Sequence, residues 1–172
     1  NSFKPINIED ILQRDSVKPY KSLVKESVKD KNICVTGAAG SIGSELCKQI
    51  LEIGVSRLVM LDMSEVSLYK LQEELINKNF DISKADFVLG DVCDYELIMD
   101  IFKNKKIEIV FHSAAYKHVP IVEDNPIQGI KNNYFSTKVI CKAAKLCSLQ
   151  KVILVSSDKA VRPTNIMGAS KR

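Results

Sequence analysis

From Asn32 onward the chain alternates two patterns of apolar and polar positions. Short apolar runs at residues 33–36, 57–61, 86–89, 107–112 and 151–156 are rich in Val, Ile, Leu and Phe, and they predict β-strands. Between them lie longer stretches in which apolar residues recur every three or four positions. Residues 41–54 predict a helix with Ile42, Leu46, Ile50 and Ile53 on one face and Gly54 as its stop. Residues 64–79, with Ser64 and Ser67 near the start, predict a second helix, and 95–103 a third. After a loop containing Pro120 and Pro126, residues 127–147 predict one long helix. The first 30 residues are polar and mixed, with short helices expected at 8–13 and 21–29 on either side of Pro19. Five strands separated by helical stretches predict an α/β fold: a doubly wound parallel sheet with helices on both faces. The expected organisation is a lead segment, 1–30, followed by one domain, 31–172, with no repeat, low-complexity stretch or internal linker.

A length of 172 residues suits one domain, and 45% hydrophobic against 27% charged residues excludes a disordered chain. The net charge of +4 is diffuse along the sequence, with Lys105-Lys106 the one adjacent basic pair before Lys171-Arg172. That spacing predicts ordinary solvated surface and no nucleic-acid partner. The five cysteines, Cys34, Cys47, Cys93, Cys141 and Cys147, are odd in number and form no C-x-x-C, so buried reduced thiols are expected. With only His112 and His118 beside them, no metal site is expected. No apolar run approaches the roughly 18 residues that span a bilayer, and no signal peptide is visible. The chain opens on Asn1 and stops one residue past Lys171, which reads as a piece of a longer protein. A cytoplasmic location is expected, or the cytoplasmic face of a membrane if the full-length protein is anchored outside this segment.

One turn carries cofactor chemistry. Gly37-Ala38-Ala39-Gly40-Ser41-Ile42-Gly43 follows a predicted strand, opens a predicted helix, and precedes a second strand ending at Asp62. Glycines permit a tight turn and close approach of a pyrophosphate, and the helix start supplies unpaired N–H donors. A Rossmann-type dinucleotide-binding domain is predicted, incomplete at its carboxyl end; a glycine turn that binds nothing is the alternative. Asp62 would accept the adenosine ribose hydroxyls and repel a 2′-phosphate, so NAD is favoured over NADP; a helix-capping acid before Ser64 is the other reading. The Gly-x-x-Gly-x-x-Gly spacing resembles the short-chain dehydrogenase/reductase superfamily, especially its extended branch. That resemblance implies an adenine contact at Asp91 and Val92, where a plain turn aspartate is the alternative, and cofactor contacts from Ala39, Ser41, Ile42, Ala114 and Ala115.

Three further segments converge on one group: residues 111–120 (FHSAAYKHVP), 156–165 (SSDKAVRPTN) and 167–172 (MGASKR), joined by SIGSELC at 41–47 and IEDIL at 8–12. Together they resemble the polysaccharide-biosynthesis nucleotide-sugar dehydratases, most closely the configuration-retaining UDP-N-acetylglucosamine 4,6-dehydratases. The resemblance implies an NAD-dependent lyase whose bound NAD takes a hydride from C4 of the sugar and returns it to C6 after water leaves across C5 and C6. By position, Ser157 would bond the C4 hydroxyl, Asp158 would protonate the departing C6 oxygen, and Lys159 would remove the C5 proton. Lys171 would hold the nicotinamide ribose. An exposed turn pair after a strand is the bland reading of Asp158 and Lys159.

Where the superfamily has Tyr-x-x-x-Lys, this chain reads Met167-x-x-x-Lys171. A thioether is no base, but the retaining dehydratases carry methionine there, so the departure sharpens the resemblance. A base for the C4 hydroxyl proton then falls to Asp158 or Lys159. Lys117, His118, Arg162 and Asn165 are the expected substrate contacts, with Lys117 and His118 facing the cofactor or the sugar diphosphate and structural roles open for each. Asn133, counted with them, resembles an asparagine that shapes the site through backbone contacts, with a core or capping asparagine as the alternative. Tyr116 is expected to pack, and Ser136, which replaces the family's usual glycine, to matter little. The expected partner is a UDP-sugar, with a homo-oligomer allowed and no membrane contact from this segment. By itself the segment is expected not to turn over. Two other classes compete: a nucleotide-sugar epimerase or dehydrogenase, disfavoured by Met167, and a non-catalytic NAD-binding module.

Overall fold

The structure, a computed structural model, describes residues 21–172; the helix expected at 8–13 lies outside them. Helix α1 (Lys21–Val28) leads into strand β1 (Asn32–Thr36), and α2 (Ser41–Ile53), β2 (Arg57–Asp62), α3 (Glu65–Asn77) and β3 (Ala85–Leu89) follow. The second half runs α4 (Tyr95–Asn104), β4 (Ile109–His112), α5 (Val119–Asp124), α6 (Pro126–Ile130), a π turn (Lys131–Phe135), α7 (Ser136–Leu146), β5 (Lys151–Leu154), a 3₁₀ turn (Asp158–Ala160) and α8 (Ile166–Ser170). The five strands pair in parallel in the order β3-β2-β1-β4-β5. The doubly wound parallel sheet predicted from the sequence is the fold.

Alternation along the strands splits the core in two. Ile33, Val35, Leu58 and Met60 face one side and pack on Cys47 and Ile50 of α2 and on Leu68, Leu71 and Leu75 of α3. Cys34, Val59, Leu61 and Val110 face the other and pack on Ile98, Ile101 and Phe102 of α4 and on Ile140 and Ala143 of α7. The central strands β1, β2 and β4 are buried on both faces, the requirement that makes a parallel sheet read as continuous apolar runs. Of the edge strands, β3 is half-buried and β5 largely exposed. Ser64 caps α3 by accepting the Ser67 N–H, and Asp94 caps α4 by accepting that of Leu97.

Several boundaries differ from the sequence reading, each for a tertiary reason. β4 begins at Ile109 because Lys106 turns the chain at φ 50°, and Glu108 instead takes Lys31 Nζ at 2.8 Å and the Asn32 N–H at 3.0 Å. β5 ends at Leu154, since the rung from Val155 N–H to the His112 carbonyl is the last that β4 can offer. The expected Pro120–Pro126 loop is instead two short helices, with each proline in a first turn, where no intrahelical N–H is required of it. The long helix expected over 127–147 is interrupted by the π turn. On α2, Ile42 is 56% exposed and the buried stripe is Gly43, Cys47 and Ile50, so the helix face is rotated from the predicted one. Cys34 and Cys47 are buried, and burial pushes the Cys34 thiol up to about 12; Cys93 and Cys147 are half-buried and Cys141 is exposed, against the expectation of five buried thiols.

Candidate active site

All five strands deliver their carboxyl ends to one edge, and the strand order reverses beside β1, the place where α/β sheets leave a crevice. The glycine turn lies there. Gly37 has φ 64°, and a Cβ on it would sit 2.7 Å from the Ala114 backbone, so the turn closes on the β4 exit only with glycine. A Cβ on Gly43 would strike the Gly37 carbonyl. Gly40 caps α2 without a side-chain bond, which leaves the first N–H groups of that helix, from Ser41 and Ile42 onward, open to an anion. Asp62 Oδ2 accepts the Ala39 N–H at 2.9 Å and Oδ1 the Ser64 N–H at 3.0 Å. The carboxylate therefore ties the glycine turn to the start of α3. Asp62, Gly90, Asp91, Val92, Ala114 and Ala115 complete a cleft of about 230 Å³ around Gly37 and Gly40. Asp91 is exposed and accepts the Cys93 N–H at 2.8 Å, while the Val92 side chain turns into the core.

Ala114 and Ala115 also line a second cavity of about 350 Å³, closed by Asn133, Thr137, Val155, Ser156 and Lys171. Lys171 is half-buried, donates to the Val155 carbonyl at 3.3 Å, and has its pKa lowered by burial. Nearby, the Ser157 hydroxyl is buried with no hydrogen-bond partner, an orphan that native proteins rarely keep without a ligand or water to meet it. Gly168 has no room for a Cβ against the Lys159 carbonyl, so α8 packs directly on the turn holding Asp158 and Lys159. The fold thereby brings Ser157, Asp158, Lys159 and Lys171 to one corner.

Other expected residues take different places. Lys159 is 49% exposed and Asp158 84%, with Nζ and Oδ1 3.4 Å apart. The Lys159 ammonium holds the Asp158 carboxyl below its usual range. The desolvation that a lysine base needs is thus not supplied by the described residues. Met167 is 3% exposed and supports α8 from inside rather than shaping the cleft. Asn165 Oδ1 accepts the Gly168 N–H at 2.7 Å as the cap of α8, and Arg162 is exposed. Lys117 and His118 are exposed and line a separate cavity of about 570 Å³ with Ile121, Asn125 and Gln128. Tyr116, expected to pack, is 42% exposed and lines both this cavity and the dinucleotide cleft, while its backbone is held by Asn133.

Asn133, in the π turn, accepts the Tyr116 N–H at 2.8 Å and donates to the Tyr116 carbonyl at 3.1 Å and to Ser170 Oγ at 2.9 Å. Both amide hydrogens are committed inside the protein, so Asn133 positions the loop and α8 and has no donor left for a substrate. Beneath it lies a group that the sequence reading passed over: His112, buried, with Nδ1 2.7 Å from Thr36 Oγ1 and Nε2 3.2 Å from Ser136 Oγ. Ser136, expected to matter little, is buried on this imidazole. Burial, reinforced by the Lys171 charge, pushes the His112 pKa down to about 4. The unfolded chain then takes up the proton first as pH falls. The stability that neutral His112 contributes is complete above pH 6.5 and is lost as pH falls from there toward 4, with a slope of at most roughly 1.4 kcal/mol per pH unit. Urea midpoints measured from pH 7 to pH 4.5 should fall accordingly, and His112→Asn should flatten that part of the profile.

A parallel sheet with this strand order, a glycine turn opening α2 and an acid ending β2 define a Rossmann-type protein of the extended short-chain dehydrogenase/reductase class. Comparison with known proteins is more specific: the chain belongs to the polysaccharide biosynthesis protein family, which matches residues 33–172. It is 38% identical over 174 aligned positions to the capsular polysaccharide biosynthesis protein CapD of Staphylococcus aureus, covering 100% of this chain and 29% of that protein. Among solved structures, Pen from Bacillus thuringiensis is 34% identical, with TM-score 0.76 over 84% of this chain and 43% of that one. A UDP-glucose 4-epimerase from Bifidobacterium longum, solved with NAD+ and UDP, is 26% identical, with TM-score 0.70 over 81% of this chain and 45% of that one. The chain spans less than a third of the length of its CapD relative.

Proposed function

We propose that this chain is the NAD-binding and proton-transferring part of a nucleotide-sugar enzyme of polysaccharide biosynthesis, and that the whole protein dehydrates UDP-N-acetylglucosamine to its 4-keto-6-deoxy sugar. The observation that carries the reading is the buried, unpartnered Ser157 hydroxyl in the corner that also holds Asp158, Lys159 and Lys171. Bound NAD supplies a reversible hydride acceptor at C4. In this reading Ser157 holds the C4 hydroxyl in place, and Asp158 takes its proton as the hydride leaves C4. Lys159 removes the C5 proton that a 4-ketone acidifies, and Asp158 passes the proton it took to the C6 oxygen as that leaves as water. The hydride returns at C6 as Lys159 returns its proton at C5. Lys159 must be neutral to act, and cover from chain beyond this segment would exclude water from the Asp158–Lys159 pair. The open helix start at Gly40 suits a pyrophosphate, and the Asp62 carboxylate suits an unphosphorylated ribose.

The cofactor half is testable on this chain. Calorimetric titration should give NAD a clear advantage over NADP, and Asp62→Ala should weaken NAD at least roughly ten-fold, the scale of a lost bond to a charged group. Equal affinity for the two cofactors would overturn the assignment. A second reading, a UDP-sugar 4-epimerase, draws on the 26%-identical epimerase solved with NAD+ and UDP. The product separates them, because dehydration loses the mass of one water and epimerisation loses none. Buried Met167, in the position of the usual tyrosine base, favours the first.

A further inference from the structure

We infer that His112 is a positioning residue, clamped between Thr36 and Ser136 so that the π turn and the dinucleotide turn hold each other in register. The inference rests on the dinucleotide reading of the glycine turn. Thr36 is the last residue of β1 and immediately precedes Gly37; His112 is the last residue of β4; Ser136 follows the π turn. All three side chains are buried. Ser136 Oγ lies 3.2 Å from His112 Nε2 and 3.4 Å from the Asn133 carbonyl, and it has one proton. Among the described residues the Thr36 hydroxyl proton has Nδ1 as its one partner, at 2.7 Å, so Nδ1 accepts, Nε2–H donates to Ser136, and the Ser136 proton goes to the Asn133 carbonyl. A single tautomer satisfies every member.

The linkage continues at both ends. Ser113 Oγ donates to the Thr36 carbonyl at 2.7 Å, beside the Gly37–Ala114 contact, so the first end is the glycine turn itself. Asn133 holds Tyr116 and Ser170, the neighbour of Lys171, so the other end is the reaction corner. Among the described residues Lys171 is the one charge that acts on His112, and a neutral imidazole adds no second cation beside it. The Ser136 hydroxyl is buried on the imidazole. It does not line the dinucleotide cleft and meets the His112 ring and the Asn133 carbonyl, so a loss of NAD affinity shared with Thr36→Val, and not additive with it, is one that travels through His112.

The test uses this chain with two independent readouts. Imidazole ¹⁵N spectra should show a pure Nε2–H tautomer, and Ser136→Ala should convert it to a mixture and speed exchange of the Tyr116 amide. NAD affinity should fall roughly five-fold in Ser136→Ala and in Thr36→Val, the effect of one net hydrogen bond. The double variant should lose little more than either single one, because both act through one ring. Ser136→Thr and Thr36→Ser, which keep the hydroxyls, should retain most of the affinity. Wild-type affinity in Ser136→Ala, or losses that simply add, overturns the inference. Should the wild-type chain fail to bind NAD, the dinucleotide reading has failed instead; the tautomer and amide readouts then decide the linkage alone, and a ring indifferent to Ser136→Ala sinks it.

Discussion

In the full-length protein, Lys159→Ala should stop water loss while NAD remains bound, with the rate falling on the order of 10²–10⁴, the usual worth of a positioned proton-transfer group. Lys159 is half-exposed and its one side-chain bond among the described residues is to exposed Asp158, so the substitution removes chemistry with little cost to the fold. Asp158→Asn should also slow elimination, since an amide cannot deliver the proton. Following solvent deuterium into C5 and the C4 hydride into C6 isolates the step. A Lys159→Ala enzyme that eliminates water at the wild-type rate, or a C6 hydride that does not originate at C4, would refute the scheme. Met167→Ala behaves differently under the same logic. Its thioether exchanges no proton, but the side chain is buried, so truncation should cost about 2–5 kcal/mol of stability rather than a catalytic step.

Gly37→Val should abolish NAD binding. At φ 64° any branched side chain is strained, and the new Cβ would meet backbone of Ala114, which has no rotamer by which to yield. The turn must then open away from the β4 exit, taking the α2 start with it and separating the phosphate-receiving N–H groups from Asp62. Calorimetry should detect no NAD binding, and the thermal midpoint should drop by several degrees, about 2–4 °C for each kcal/mol lost in a chain of this size. Gly54→Ala is the matched control: it also has positive φ, but a Cβ there meets nothing within 4 Å and it lies at the far end of α2. It should lose some stability and leave NAD affinity unchanged. If Gly37→Val binds NAD as the wild type does, the glycine turn is not the cofactor cradle.

Much of the architecture was legible because it is encoded locally. The strands and helices α2 to α4 follow from spacing within a dozen residues, as does Ser64 at the start of α3, where it serves as the cap. The glycine turn and Asp62 were likewise readable from short spacings along one βαβ unit, and the structure joins them through Ala39 N–H. What failed were inferences that needed to know who the neighbours are. Helical periodicity says which residues share a face but not which way the face points, so Ile42 was placed inward. It is outward because Gly43, not Ile42, must meet the Gly37 carbonyl.

The sequence by itself therefore determined the α/β class, the parallel sheet, the family resemblance and the residues that gather at one edge. Tertiary structure alone decided what those residues are free to do. Asn133, expected to shape the site through backbone contacts, holds the Tyr116 backbone and adds a bond to Ser170, while Asn165, expected to touch substrate, spends its side-chain oxygen capping α8. His112 looked like part of a motif, yet partners 76 and 24 residues away make it the centre of a buried linkage. Lys159 and Met167 kept their place in the motif and exchanged expected environments, one exposed and one buried. The physical reason is common to all of them. Backbone propensity and hydrophobic period are properties of nearby residues, whereas burial and hydrogen-bond partnership are set by chain segments that meet only when the sheet closes.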